Sequence, residues 1–281
     1  MLATTLTLGD RQVDVTHRAL VMGVLNRTPD SFYDKGATFA FDAFLRRAEQ
    51  LVGDGADLLD VGGVKAGPGP EVTEAEELER VVPAVAALRE RFDVPVSVDT
   101  WRASVARACY AEGAVVGNDI SGFADPDYLP AAAEHGATVV ATHIRLAPRV
   151  PDPDPVYADL VGEVETALLE RAARARAVGL GASRVVLDAG LDLGKTAEQS
   201  LALLRASDRL AAHGYPLLLS ASNKTFLGVV LGLELDERGP ASLAATALGV
   251  TRGCRLVRVH DVKGNRQVCD VLAAISEASG P

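Results

Sequence analysis

The sequence predicts an α/β chain folded as a (β/α)₈ barrel, a TIM barrel, with a β-hairpin ahead of its first strand. Three observations carry this expectation. Short runs rich in Val and Leu recur along the chain, each ending on a polar residue. A longer amphipathic segment follows each run, and 281 residues is the length that eight such units require. The runs are 19–26, 57–60, 94–99, 114–118, 137–143, 185–188, 216–220 and 255–260. Each is too short for a helix and lacks strict alternation, the pattern of a parallel strand covered on both faces. Ahead of them, 5–8 and 12–15 do alternate around Gly9-Asp10, which reads as a hairpin lying across the bottom of the barrel.

The intervening segments read as helices. Phe41, Leu45, Ala48 and Val52 form an apolar stripe in the first, and Leu78, Val82 and Val85 form one in the helix over 73–92. Thr73 with Glu76 has capping-box spacing, and Thr196 with Gln199 repeats it ahead of a helix over 201–212. The acidic, proline-broken stretch 148–155 reads as a loop after the fifth strand. A doubly wound open sheet is the competing arrangement. With no linker and no internal repeat, residues 1–281 are expected to form one domain, with 1–18 as its hairpin plug.

Composition excludes several functions. The chain carries 28 Lys+Arg against 38 Asp+Glu, a formal net charge of −10, so no broad basic surface is available to a phosphate backbone and nucleic-acid partners are not expected. No apolar run is long enough to cross a membrane. The first ten residues contain no Lys or Arg, unlike a secretory signal, so a cytoplasmic protein is expected. Cys109, Cys254 and Cys269 are too few and too scattered for a disulfide framework or a zinc site.

In such barrels the functional groups gather where strands end and βα loops begin. Here those ends are Asn26, Asp60, Asp99, Asn118-Asp119, His143, Asp188, Ser220 and Arg258-Val-His260. Any one alone reads as a turn residue or helix cap. Together they form a mouth rich in hydrogen-bond acceptors, suited to a flat ligand carrying amine donors, such as an aminopyrimidine. Arg258 and His260 lie two apart on a strand and share a face. Lys224, with Asn223 beside it, follows the seventh strand at the start of a helix, so these groups together suit a phosphate or pyrophosphate. His143 and His260 read equally well as structural histidines, while His17, His135 and His213 fall in loops or at helix ends and read as surface residues.

Met22-Gly-Val-Leu-Asn-Arg-Thr-Pro-Asp-Ser-Phe-Tyr-Asp34 resembles the N-terminal signature of dihydropteroate synthases. The resemblance continues in order through Leu59-Asp-Val-Gly-Gly63, Ser97-Val-Asp-Thr100, Asn118-Asp-Ile-Ser121, Leu187-Asp188, Gly194-Lys195, Ser222-Asn-Lys-Thr225 and Arg258-Val-His-Asp261. It implies a (β/α)₈ barrel that is a transferase of folate biosynthesis. Such an enzyme condenses 6-hydroxymethyl-7,8-dihydropterin pyrophosphate with p-aminobenzoate to 7,8-dihydropteroate and pyrophosphate. It implies further that Asp99, Asn118 and Asp188 hold the pterin, with Lys224 against its polar edge. Asn26 would contact the Mg²⁺ that accompanies pyrophosphate, and Arg258 and His260 would bind that leaving group. Thr225 stands where the family has a serine near the aminobenzoate carboxylate. Asp99, Lys224, Arg258 and His260 are the catalytic candidates, and a homodimer through the last helices is implied.

The second loop departs from the family. Where the family reads Glu-Ser-Thr-Arg-Pro-Gly, this chain reads Val64-Lys-Ala-Gly-Pro-Gly69, so Ala66 and Gly67 replace a hydroxyl and a guanidinium. Asn223 replaces an arginine, and Arg27 a small apolar residue. Arg27 and Lys65 either restore positive charge at the mouth or shape it for another acceptor. The alternative to an active synthase is therefore a catalytically silent or altered-acceptor pterin-binding paralogue. Methyl transfer from a methyl-folate, the work of related barrels, is the third reading.

Overall fold

A computed structural model describes residues 2–28, 41–67 and 69–278. Pro29 to Asp34 of the first motif and Pro68 of the second loop lie outside the described residues.

The chain opens with an antiparallel hairpin, β1 (Thr5–Leu8) and β2 (Arg11–Asp14), turning at Gly9 in the left-handed region (φ 62°). Strand and helix then alternate: β3 (Leu20–Asn26), α1 (Phe41–Gly53), β4 (Leu58–Gly62), α2 (Glu74–Arg91), β5 (Val96–Asp99), α3 (Ala103–Ala111), β6 (Val116–Asp119), α4 (Tyr128–Glu134) and β7 (Thr138–Thr142). There follow α5 (Leu160–Ala177), β8 (Val185–Asp188), α6 (Ala197–Arg205), α7 (Ser207–Ala211), β9 (Leu217–Leu219), α8 (Thr225–Leu231), α9 (Gly239–Thr251), β10 (Cys254–Val259) and α10 (Val262–Ala278). Strands β3 to β10 pair in parallel and in sequence order, and β10 returns to β3 to close the barrel. The expected closed barrel forms, and the competing open sheet is excluded.

The barrel interior has two chemistries, stacked. At its lower end Met22, Leu58, Val116, Val140, Val186, Leu218 and Leu256 form one apolar cluster with Leu6, Leu8 and Val15 of the hairpin segment. The hairpin is tied there by the Thr138 hydroxyl, which donates to the Thr7 carbonyl, and by Arg184, which donates to the Gly9 carbonyl at 2.8 Å. Two residues further along six of these seven strands the same face turns polar, at Asp60, Asn118, Thr142, Asp188, Ser220 and Arg258, while on β3 it carries Val24. Burying that upper layer is unfavourable unless its groups bond one another or a ligand, so a site at this end is built into the strand pattern.

Both capping boxes form, at Thr73/Glu76 and Thr196/Gln199. The packed helix faces are rotated from the expected stripes. In α1 they are Phe44, Ala48 and Leu51, with Phe41 38% exposed; in α2 they include Val81, Ala84, Val85 and Leu88. Leu45, Val52, Leu78 and Val82 flank these rows, because an apolar band wider than one row satisfies two neighbouring stripes. The single helix expected over 201–212 is two: the chain leaves helical geometry at Ala206 and the Ser207 hydroxyl donates to the Leu204 carbonyl at 2.8 Å.

Candidate active site

A cleft of about 280 Å³ opens at the C-terminal end of the barrel. It is lined by Asn26 and Thr28 after β3, residues 64–67 after β4, Asp99 of β5, Asp192 and Leu193 after β8, Ser220 and residues 222–225 after β9, and Arg258 and His260 at the end of β10. Asn26, Asp99, Lys224, Thr225, Arg258 and His260 are thus brought to one space. Asn118 and Asp188 are buried in the polar layer beside it.

Arg258 organises the floor. Its Nε donates to Asp60 Oδ2 at 2.6 Å and its Nη2 to Asp99 Oδ2 at 2.7 Å, while Asn118 Nδ2 donates to the same Asp60 oxygen at 3.2 Å. Burial pushes the Asp99 carboxyl up to about 7, opposed by the Arg258 charge and reinforced by the neighbouring Asp60, Glu77 and Asp119 carboxylates. Two of the five guanidinium N–H groups of Arg258 are used in these bonds, which leaves donors for an anion. His260 sits beside Ser222, whose hydroxyl accepts the His260 backbone N–H at 3.2 Å and lies 3.1 Å from Nδ1. In the polar layer beside the cleft burial raises the Asp188 carboxyl, partly offset by the Gly190 N–H it accepts at 2.8 Å and by the charges of Lys224, Lys195 and Arg258. Lys224 Nζ donates to the Leu191 carbonyl at 3.2 Å. A Cβ added at Gly62 would lie 3.5 Å from Asn26 Oδ1 and 3.6 Å from Asp99 Oδ2, so bare backbone lets two oxygens face the cleft together. The space therefore offers acids and an amide interleaved with cations: Asp99 against Arg258, and Asp188 within the field of Lys224.

Residues 22–260 match the family described as Pterin binding enzyme. The chain belongs to that family. Within the pterin-binding enzymes it is a divergent member of the dihydropteroate synthase group. It is 43% identical over 270 residues, 94% of this chain and 93% of the other, to "Inactive dihydropteroate synthase 2" of Mycobacterium leprae. It is 39% identical over 273 residues, 96% and 94% of the two chains, to the dihydropteroate synthase of Synechocystis sp.. The structure of Yersinia pestis dihydropteroate synthase in a sulfonamide drug complex matches with a TM-score of 0.93 at 36% identity, covering 98% of this chain and 100% of that one.

The divergent positions of this pterin-binding enzyme separate into two kinds. Along β3 and just after it, Val24, Asn26 and Thr28 face the cleft, so alternation sends Arg27 outward. Its guanidinium lies 5.3 Å from the centroids of both Phe41 and Phe44, packed as a cation on aromatic faces. Arg27 therefore does not line the mouth. Lys65, Ala66, Gly67 and Asn223 do.

Four residues gain a role that sequence reading did not assign. Asp60 couples Asn118 to Arg258. Asp192 and Ser222 line the cleft. Lys195, buried, donates from Nζ to the Gly190 and Leu193 carbonyls at 2.9 Å each and to His143 Nδ1 at 3.0 Å. Burial pulls the Lys195 ammonium down to about 7, with the Asp188 charge opposing. Burial, aided by the Lys195 and Arg171 charges, holds His143 neutral at about 3. His143 is thus a structural acceptor, and Lys195 ties down the loop that carries Asp192. At Gly190 (φ 65°) a Cβ would run into the His143 carbonyl oxygen, so that turn admits only glycine. His17, His135 and His213 are exposed as expected, and Asp119 turns back to cap the Ser121 and Phe123 amides at 2.6 and 2.8 Å.

Lys195 gives a pH-dependent prediction. Its folded value lies below the ordinary 10.5, so between about 7 and 10 the unfolded chain binds more protons and wild-type stability rises with pH. Lys195→Met lacks this gain. Urea unfolding at pH 7 and pH 9.5 is expected to show the wild type gaining roughly 2 kcal/mol relative to the variant; a gap that shrinks or reverses contradicts the assignment.

Proposed function

We propose that the chain is a dihydropteroate synthase-type transferase: it binds 6-hydroxymethyl-7,8-dihydropterin pyrophosphate at the barrel mouth and passes the pterinylmethyl group to an arylamine, p-aminobenzoate in the parent reaction. The observation that carries this reading is the juxtaposition, in and under one cleft, of Asp99, Asn118 and Asp188 with Lys224, Arg258 and His260. The acids and the amide accept the ring's amine and amide N–H groups. Lys224 stands against the ring's polar edge. As the C–O bond to pyrophosphate breaks, Arg258 and His260 stabilise the charge growing on the leaving oxygens, and the Asp99 carboxylate favours the electron-deficient pterinylmethyl group. The amine nitrogen then forms the new C–N bond and its proton passes to water.

Among the described residues no three His, Cys, Asp or Glu come together to hold a metal. The donor set that is present, the Asn26 amide oxygen beside Asp99, fits an oxygen-preferring Mg²⁺ that arrives with a diphosphate rather than one kept in a protein cage. Bound there by Asn26, Mg²⁺ would add positive charge opposite the leaving group.

A second reading, a silent pterin-binding paralogue, is favoured by the second loop: Ala66 and Gly67 present no hydroxyl and no guanidinium to the cleft. Pyrophosphate release with dihydropterin pyrophosphate, Mg²⁺ and either p-aminobenzoate or its uncharged analogue p-aminobenzamide decides between the two. Turnover that Lys224→Ala reduces by at least about a hundredfold, the scale of losing one group that stabilises transition-state charge, supports the synthase. Pterin binding without turnover supports the paralogue. Nothing lies within 4 Å of a Cβ at Gly67, so a side chain can branch there without meeting a neighbour, and the double variant Ala66→Thr/Gly67→Arg is expected to raise turnover; unchanged or lower turnover would show that the loop is not limiting.

The three cysteines are buried and unpaired, which supports a reducing, cytoplasmic setting, and no described helix is long and apolar enough to cross a membrane. Val229, Leu231 and Leu248 together with Val271 and Ile275, on α8, α9 and α10, are exposed, which supports a homodimer through these helices.

A further inference from the structure

Asp192 occupies an unusual place. Its backbone is left-handed, at φ 67°, a conformation that Asp tolerates and glycine adopts freely. From there its carboxylate meets the head of α8, where Oδ2 accepts the Thr225 N–H at 2.6 Å and Oδ1 the Phe226 N–H at 3.2 Å. The residue is half-buried and lines the cleft beside Lys224 and Thr225. It also borders a second cavity, lined by Ile144, Leu146 and Arg149, which shares Ala66, Gly67 and Leu193 with the first. Asp192 thus holds a fixed negative charge where the two spaces meet, across from a loop with no large side chain at 66 and 67.

We propose that Asp192 sets the acceptor specificity of this site: it disfavours amines that carry a carboxylate and selects an uncharged arylamine. This rests on the reading that a pterin donor fills the barrel mouth and that the acceptor enters beside Thr225. An acceptor carboxylate reaching Thr225 finds both backbone amides already bonded to Asp192 and meets a like charge at close range. Lys224, the cation alongside, gives one of its three N–H groups to the Leu191 carbonyl, and Asp192 sets an opposing charge beside it. An uncharged group at the same end of the acceptor meets no repulsion and can donate to the carboxylate. Like charges held a few ångströms apart in a partly buried cleft change affinity by at least about tenfold.

The test is calorimetric titration of p-aminobenzoate and of its uncharged analogue p-aminobenzamide into protein saturated with 6-hydroxymethylpterin, Mg²⁺ and pyrophosphate. Wild type, Asp192→Asn and Asp192→Gly are compared. Both replacements suit a left-handed backbone, and neither carries charge. Wild type is expected to bind the amide at least about tenfold more tightly than the acid, and both variants to bring that ratio close to one or invert it. A helix cap with no bearing on the acceptor would lower unfolding midpoints and leave the ratio unchanged. An unchanged ratio, tighter binding of the acid by wild type, or binding of neither amine by the pterin-loaded protein overturns the inference. The preceding pterin titration separates the two levels: if no pterin binds, the functional reading fails and the inference with it; if pterin binds and the ratio does not move, only the inference falls.

Discussion

Asp188→Asn is expected to weaken pterin binding by at least about a hundredfold, read by calorimetry, while leaving the barrel folded. Asp188 ends β8 in the buried polar layer, with one carboxylate oxygen held by the Gly190 N–H. That bond fixes the carboxylate's orientation within the layer beside the cleft. A pterin edge presents adjacent N–H donors, and a buried carboxylate accepts them as charge-assisted bonds, about twice as strong as neutral ones. Asparagine keeps the volume but sets an NH₂ against those donors, so the ring loses bonds and gains a repulsion. Because burial raises the Asp188 carboxyl above its ordinary range, wild-type affinity should also fall on acidification at a higher pH than for an exposed aspartate. This outcome holds whether or not the protein turns substrate over. Undiminished pterin affinity in the variant would remove Asp188 from the site.

Arg258→Met is expected to cost about 3–5 kcal/mol of stability, the range for removing one partner of a buried ion pair. Arg258 bonds both Asp60, with no side-chain exposure, and Asp99, 15% exposed. Methionine fills similar space and leaves the Asp60 and Asp99 carboxylates without the charge they share. The sign of the pH effect follows. The Asp99 carboxyl is already raised to about 7, and Arg258 is the charge that opposes the rise. Without it the folded variant holds its proton to higher pH, so its stability falls further below wild type as pH rises from 5.5 to 8. Urea unfolding at both values measures this. Arg258→Lys, which keeps the charge and loses the two-pronged geometry, should fall between. A loss equal at both pH values would mean that Asp99 and Arg258 are not coupled.

Most of the barrel and much of the cleft were legible in the sequence, for one physical reason. A period of two along a parallel strand puts Leu58 and Asp60, Val186 and Asp188, and Leu256 and Arg258 on the same inner face, so an apolar floor under a polar mouth can be read from the runs themselves. The same period, applied to Val24, Asn26 and Thr28, already sends Arg27 to the outer face. The helix faces were less legible, since the bands of α1 and α2 are wide enough to satisfy two neighbouring rows. Asp192 and Lys195 were not legible as partners of the site. Their roles depend on left-handed turns at Gly190 and Asp192, which fold residues 188–195 back so that Lys195 reaches three acceptors and Asp192 reaches α8. No spacing rule reports such a path. Asp60 was visible as a strand end, but its bonds to Asn118 and Arg258 cross the barrel and connect residues 58 and 198 positions apart.

A crystal structure of the protein with 6-hydroxymethylpterin, Mg²⁺ and pyrophosphate tests the central claim most directly. The expected result is one cleft holding both ligands, with the pterin's amine edge on Asp188 and Asn118, Lys224 against the ring, and pyrophosphate oxygens on Arg258 and His260. A pterin seated away from Asp188, or a pyrophosphate bound without Arg258 and His260, would contradict it.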